Sequence, residues 1–381
     1  MRRPLLLLIL AVAALLVGCW DYTEVETLTF AMGAGLDPGP EGGSTLTVET
    51  LAVQGGDPTQ LVPYVTTATG ITMFTALRNM ANITGKQVFF GHIQAMVFSE
   101  EFARSGVGEA VGFIQRDVGI RTNMWLFVAK GSSAEDVFKA EAPLGTSVGH
   151  YLGRVMRLED RNPIFVPIQV WEFNRALSEE GVRPTMPVIE LVEIGDTKVP
   201  RVAGSAVFKS DKLVGWLDDK DSRILHYLLK RQITGVIVTD LEFRGETKPI
   251  AAEVNTAKVE IIPKWEQEQL SISIDVKMGV DLHEIGHPVL DYSQKDLKRM
   301  LEEAFARQMK RDIEHFMHTI QQGLQADVVG FGNVVKKRIP SAWRQLGPEW
   351  EELFPHVPVS VRVAVLITET GTLAKPLTGR P

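Results

Sequence analysis

Hydrophobic and polar positions along the chain fall into three patterns: one unbroken apolar run, several alternating stretches, and several helical stripes. The unbroken run is Leu5 to Val17. It is thirteen residues long, shorter than the roughly 20 needed to span a bilayer as a helix. Behind it, Leu28 to Leu36 is apolar with glycines, and Ser44 to Val53 alternates through Leu46 and Val48, then Leu51 and Val53. The pair predicts two strands joined by the Gly-Pro-rich turn at Pro38 to Gly43. Helical spacing runs over Thr72 to Ala81. Val88 to Phe98 reads as one buried strand. Ser99 to Gln115 reads as one helix, with Phe102, Val107, Val111 and Ile114 on one side and Ser99 as its N-cap. Met124 to Ala129 is a short strand. Ser133-x-x-Asp136 is a capping box opening a helix to Ala140, stopped by Pro143.

Prolines 184, 187 and 200 mark the region from Arg183 to Pro200, and a domain boundary is expected near residue 200. Beyond it, Ser205 to Phe208 and Lys212 to Leu217 flank Ser210-Asp211 as a hairpin. Ile233 to Leu241, Ala251 to Ile262 and Gln269 to Val280 predict strands of one antiparallel sheet. A long helix follows from Ser293 and Asp296, with Leu297, Leu301, Ala304, Phe305, Met309, Ile313, Phe316, Ile320 and Leu324 at spacings of three and four. Such a stripe packs on a sheet as core. The closing strand, Pro358 to Thr368, puts Val359, Val361, Val363 and Val365 on one side. The expected fold is α+β and multidomain, with mixed and antiparallel sheets packed by helices and one long helix in the C-terminal domain. The expected division is 1–18, 19–200 and 201–381.

Composition changes this picture little, and the single cysteine changes it greatly. The chain has 381 residues, 45% hydrophobic and 23% charged, which is globular, and a formal charge of −7 with signs mixed. That excludes nucleic acid as a main partner, because phosphate binding needs a clustered basic face. Lys336-Lys337-Arg338 is the tight basic run and reads as a solvated loop. Cys19 is the only cysteine, so no internal disulfide forms. It stands where the short apolar run ends, in Leu16-Val17-Gly18-Cys19, after a start carrying Arg2 and Arg3. Basic start, h-region length, small Gly18 and adjacent thiol together make a signal peptide with a lipobox. Cleavage is expected before Cys19, with lipid on its sulfur. Two or more acyl chains then give stable attachment. Trp20 is placed either at the membrane interface, where indole is favoured, or in the first domain.

Catalytic motifs are few. His283-Glu284-Ile285-Gly286-His287 spells H-E-x-x-H, whose zinc chemistry needs both histidines on one helix turn. A strand pattern precedes it and Pro288 follows, so the expectation is a strand running into a loop, without metal. Asp218, Asp219 and Asp221 read as a solvated turn without calcium-loop spacing. The glycines between Asp327 and Gly332 are expected to shape a turn. No phosphate-binding glycine loop is present, and no cofactor is expected.

Several blocks in order resemble a known family. Cys19-Trp20-Asp21-Tyr22-Thr23-Glu24, Gly91-His92-Ile93-Gln94 with Ser99 to Gly106, Arg116 to Arg121, Val128 to Gly131, and Lys212 to Leu217 are similar to the Ger(x)C lipoproteins, the C subunits of spore germinant receptors. Ala326 to Gly332, Pro340-x-x-Trp343 and Trp350-x-x-x-Phe354 are similar to that family's closing signature, and Glu284 to a glutamate it carries in the loop before the long helix. Leu217 to Arg223 departs from the glutamate-threonine-arginine-glycine expected after the hairpin. The resemblance implies a non-enzymatic lipoprotein on the outer face of the spore inner membrane. Its implied partners are membrane lipid through Cys19 and two integral membrane subunits, A and B, with which it senses nutrient germinants. Two alternatives stay open: an extracytoplasmic solute-binding lipoprotein, and a zinc peptidase built on His283 and His287.

Overall fold

The structure is a computed structural model, and it describes residues 24–53, 61–145, 147–229, 234–243, 245–285 and 295–369. It contains two sheets. The first is built from β1 (Leu28–Pro38), β2 (Ser44–Val53), β3 (Leu61–Gly70), β4 (Gln87–Phe89), β5 (Ala95–Ser99), β6 (Trp125–Ala129), β7 (Thr185–Ile194), β8 (Thr197–Lys209) and β9 (Lys212–Leu217). Their order is β3-β2-β1-β5-β6-β7-β8-β9, with β4 beside the start of β1. The strands β1, β5, β6 and β7 are parallel at the centre, and antiparallel hairpins close both edges.

Helices cover both faces. On one lie α1 (Met73–Thr84), α2 (Glu100–Ser105) and α3 (Gly108–Arg116); on the other α4 (Ala134–Lys139) and α5 (Val148–Arg157). The helix α6 (Val170–Ser178) joins the first group. Successive side chains of a strand point to opposite faces. Accordingly Met96, Phe98, Leu126 and Val128 pack with the first group, while Ala95, Val97, Phe127 and Ala129 pack with the second. Burial on both faces is why β5 and β6 read as continuous apolar runs. Glycines in β1 have a steric cause: a Cβ on Gly33 would lie 2.3 Å from the Phe138 ring of α4.

The second sheet comprises β10 (Val236–Phe243), β11 (Glu246–Glu266), β12 (Gln269–Ile285) and β13 (Val359–Glu369) in that order. Between β9 and β10 runs α7 (Asp219–Leu228), whose Ile224, Leu225 and Leu228 pack into this second core. The long helix is α8 (Lys295–His318), followed by α9 (Phe331–Arg338), α10 (Pro340–Leu346) and α11 (Trp350–Leu353). Its predicted stripe is buried from Leu297 to Ile320 against the sheet.

Four of the expected elements are corrected. Val88 to Phe98 is two strands separated by a turn at Gly91-His92. The helix over 99–115 breaks into α2 and α3 at Gly106, whose φ of +130° no ordinary side chain favours. The closing strand pairs parallel to β12, not antiparallel. Period-two alternation reports which face is buried and is identical for either direction, and the helices between β12 and β13 supply the crossover that parallel pairing needs. The acidic cluster is no solvated turn: Asp218 accepts the Asp221 N–H at 2.8 Å and caps α7, and Asp221 is buried. Residue 200, where a domain boundary is expected, lies inside β8.

Candidate functional site

Cys19 and Trp20 lie outside the described residues. The described chain enters at Glu24 and reaches the first sheet at Leu28. Among the described residues no helix is long and apolar enough to cross a membrane.

The H-E-x-x-H segment does begin in a strand. His283 and Glu284 are part of β12, and the Glu284 backbone pairs with Ala251. Glu284 thus sits in a strand rather than the loop implied by the resemblance. The His283 ring is exposed and lies 3.2 Å from Glu253 on the neighbouring strand. His287 falls outside the described residues. Among the described residues no three or more histidine, cysteine or carboxylate side chains gather in a way that could hold a metal.

The densest polar constellation is at Asp327. Its carboxylate is buried and accepts four hydrogen bonds: from the backbone N–H of Gly330 (2.8 Å), Phe331 (3.0 Å) and Gly332 (2.8 Å), and from the Trp350 indole Nε1–H (3.0 Å). Burial pushes its pKa up to about 6, against the pull of those donors toward the ionised form. Gly330, at φ +83°, makes the turn that aims the three amides inward and starts α9. Phe331, Phe354 and Trp350 close round it, with centroids about 6 Å apart. The first half of the chain reaches this turn. The Arg183 N–H donates to the Asp327 carbonyl at 2.8 Å, and the Arg183 guanidinium pairs with Glu351. Lys336 donates to Glu180 at 3.1 Å, which holds that exposed carboxyl below its ordinary range.

Beside this joint is a cleft of about 830 Å³, lined by Glu179, Glu180, Arg183, Trp343, Arg344 and Trp350 among others. Carboxylates, two guanidinium groups and indole edges lining one cleft can bind a polar or charged partner. The predicted turn over 327–332 and the residues Trp343 and Trp350 of the closing signature are therefore brought together. Sequence reasoning missed Gly181 and Arg183, which had no signal beyond the neighbouring prolines.

It also missed two long-range caps. Asp37, at the end of β1, accepts the N–H of Ala134 (2.8 Å) and Glu135 (3.1 Å) at the start of α4. Glu49, within β2, accepts the N–H of Val148 (2.6 Å) and Gly149 (2.7 Å) at the start of α5. Each satisfies helix donors that have no partner within the helix. Burial raises both pKa values, that of Glu49 to about 7. A carboxylate at a strand position otherwise apolar was the available signal.

Comparison with known proteins gives two family matches in tandem. Residues 21–191 match the spore germination protein N-terminal domain, and residues 203–371 match the spore germination B3/GerAC-like C-terminal domain. Similar curated proteins include spore germination protein KC of Bacillus subtilis (strain 168), 23% identical with 99% of this chain and 98% of that protein covered. Spore germination protein B3 of the same organism is 25% identical, with 94% and 96% covered. The crystal structure of the GerBC protein superposes with a TM-score of 0.57 at 20% identity, covering 91% of this chain and all of that one, which shows the shared fold.

Proposed function

The chain belongs to the GerAC family of spore germination proteins, and from that premise we propose that it is a lipid-anchored, non-enzymatic subunit of a nutrient germinant receptor. The observation that carries the reading is one of position. The N-terminal family domain begins at residue 21, two residues after the only cysteine, and that cysteine closes the Leu16-Val17-Gly18-Cys19 run that reads as a lipobox. In this reading lipid on Cys19 holds the folded chain to the outer face of the spore inner membrane. The two sheets then stand outside the bilayer and meet the integral membrane A and B subunits.

Spores lacking this chain test the reading. The expected result is a lost response to a nutrient mixture with the response to a non-nutrient trigger intact. A Cys19→Ala chain is expected to restore the nutrient response poorly. Mass measurement of the N-terminal peptide supplies the chemical check, since it should carry acyl chains on Cys19. An unmodified Cys19, or full rescue by Cys19→Ala, would sink the anchored part of the proposal. A normal nutrient response in spores lacking this chain and every paralogue would sink the receptor part.

A further inference from the structure

A membrane-anchored chain of this kind presents some face to the lipid, and one end of the first sheet has the chemistry for it. The central strands are parallel, so the segments leading into β1, β4, β5 and β6 all lie at the same end. Pairing makes this concrete: Leu28 sits opposite Gln87, and Phe30 opposite Phe89, with their rings 5.7 Å apart. Large apolar side chains are exposed around this entry point. Val118, in the turn after α3, is fully exposed at 106%, Trp171 is 45% and Phe89 37% exposed. Shared loops join them. Phe89 and the Asp117–Gly119 turn line one depression, and the Trp171 backbone N–H donates to the Thr122 carbonyl, in the same loop, at 3.2 Å. An exposed valine at a turn tip and an exposed indole are costly to solvate and are what an amphipathic membrane surface presents.

Charge agrees. Arg78, Lys86, Arg116 and Arg121 are exposed on this side, against Glu24, Glu26 and Asp117, while Arg175 is paired with Glu179 at 3.6 Å. The Arg78 guanidinium lies 4.9 Å over the Phe74 ring and that of Arg175 5.4 Å over Trp171. The chain as a whole carries −7, so a local excess of cations is set against its average and complements anionic headgroups. The tether fixes the occupant. Leu28 lies nine chain steps beyond Cys19, and a fully extended chain spans at most about 3.6 Å per residue, so the start of β1 stays within about 30 Å of the lipidated residue. A bilayer is therefore always present at high local concentration beside this end.

We infer that this end of the first sheet is a lipid-contact face, with Val118, Phe89 and Trp171 entering the headgroup boundary of an anionic bilayer and the neighbouring cations pairing with phosphate. The inference rests on the anchored reading above and adds which face the anchor presses to the membrane. It orients the molecule: the β7–β8 turn at Ile194, at the far end of the parallel strands and 61% exposed, points away from the lipid.

The test uses the full chain made in a lipid-modifying host and reconstituted in vesicles of phosphatidylcholine with about one third phosphatidylglycerol, a content chosen to give a clear surface potential. Lipid occupies the Cys19 sulfur, so a Val118→Cys variant offers a single free thiol for an environment-sensitive fluorophore. An Ile194→Cys variant serves as the control. The expected result is a blue-shifted label at 118 that a lipid-borne quencher extinguishes, and a water-like label at 194. A water-like signal from both, on vesicles that retain the protein, overturns the inference while leaving the anchor intact. Failure of the protein to stay on the vesicles, with Cys19 unmodified, overturns the anchor. Burial of the label at 118 only when integral receptor subunits share the vesicle also overturns the inference, by making the face a protein contact. For the unlipidated Cys19→Ser chain, replacing Arg78 and Arg121 by Glu should weaken binding to the same vesicles at least about tenfold, given the attraction of each surface cation to an anionic leaflet. Thermal melts of that variant check its fold. Unchanged binding by a folded variant would contradict the role given to the arginines.

Discussion

Glu49 sits 1% exposed in the middle of β2 and faces two amide hydrogens at the start of α5. Burial penalises its charge, the amides favour it, and burial prevails, raising its pKa from 4.5 to about 7. Asp327 shows the same balance, raised from 3.8 to about 6. The folded chain therefore holds protons that the unfolded chain releases between these limits. Their contribution to stability is fully present below about pH 4 and is lost as pH rises through 6 to 7. The expected outcome is a melting temperature several degrees higher near pH 5 than near pH 8, since each kcal/mol moves it by roughly 2–4 °C in a large domain. Glu49→Gln cannot ionise, so its profile should be flatter over that range. Melting curves across pH decide it, and a Glu49→Gln profile parallel to that of the unaltered chain would refute the assignment.

At the level of elements, the long helix α8 stands on its buried stripe. Phe305 is fully buried between the helix and the second sheet, whereas Glu303 on the solvent side makes only exposed ion pairs with Arg299 and Arg307. Phe305→Ala should cost about 3–5 kcal/mol. Glu303→Ala should stay within about 0.5 kcal/mol, because exposed ion pairs contribute little. Denaturant midpoints separate the two, and comparable losses would mean the helix is held by its charges. This helix was legible because its stripe continues for seven turns. Elements with weaker signals were not. The helix α5 keeps Val148, Leu152 and Met156 in register, but Gly149 and Gly153 depress its propensity. Gly149 is there because a Cβ would lie 2.3 Å from the Met32 carbonyl oxygen, a packing need that sequence periodicity does not express. The edge strand β3 carries Pro63 and exposed Leu61 and Tyr64, so it shows no alternation. Proline is tolerated there because an edge strand has free positions. The break between α2 and α3 depends on Asp211, which accepts the Gly108 N–H at 3.1 Å from over a hundred residues away.

At the scale of the whole molecule, the question is how far the two sheets unfold as one. Prolines suggested a seam near residue 200, and the family domains meet between 191 and 203. Yet β8 runs through that region and the first sheet continues to Leu217. Val207 and Leu217 of that sheet share a core with α7 and the second sheet. The other joint is Gly181 against Gly332. Gly181 has φ +75°, and a Cβ on Gly332 would lie 2.5 Å from the Gly181 Cα and 2.7 Å from the Trp350 Nε1. Neither neighbour is a flexible side-chain end, so Gly332→Ala forces the two halves apart or displaces the indole that holds Asp327. Overpacking of this kind costs about 1–3 kcal/mol, and here the cost falls on the joint rather than on either core. The expected outcome is specific to that location. The unaltered chain should unfold in one calorimetric transition, and Gly332→Ala should split it, with one half melting near its former temperature. Gly181→Ala should give the same split, and the double variant less than the sum of both, because the two residues touch. A single transition lowered uniformly would instead mean that the shared core around α7, and not the glycine joint, couples the sheets.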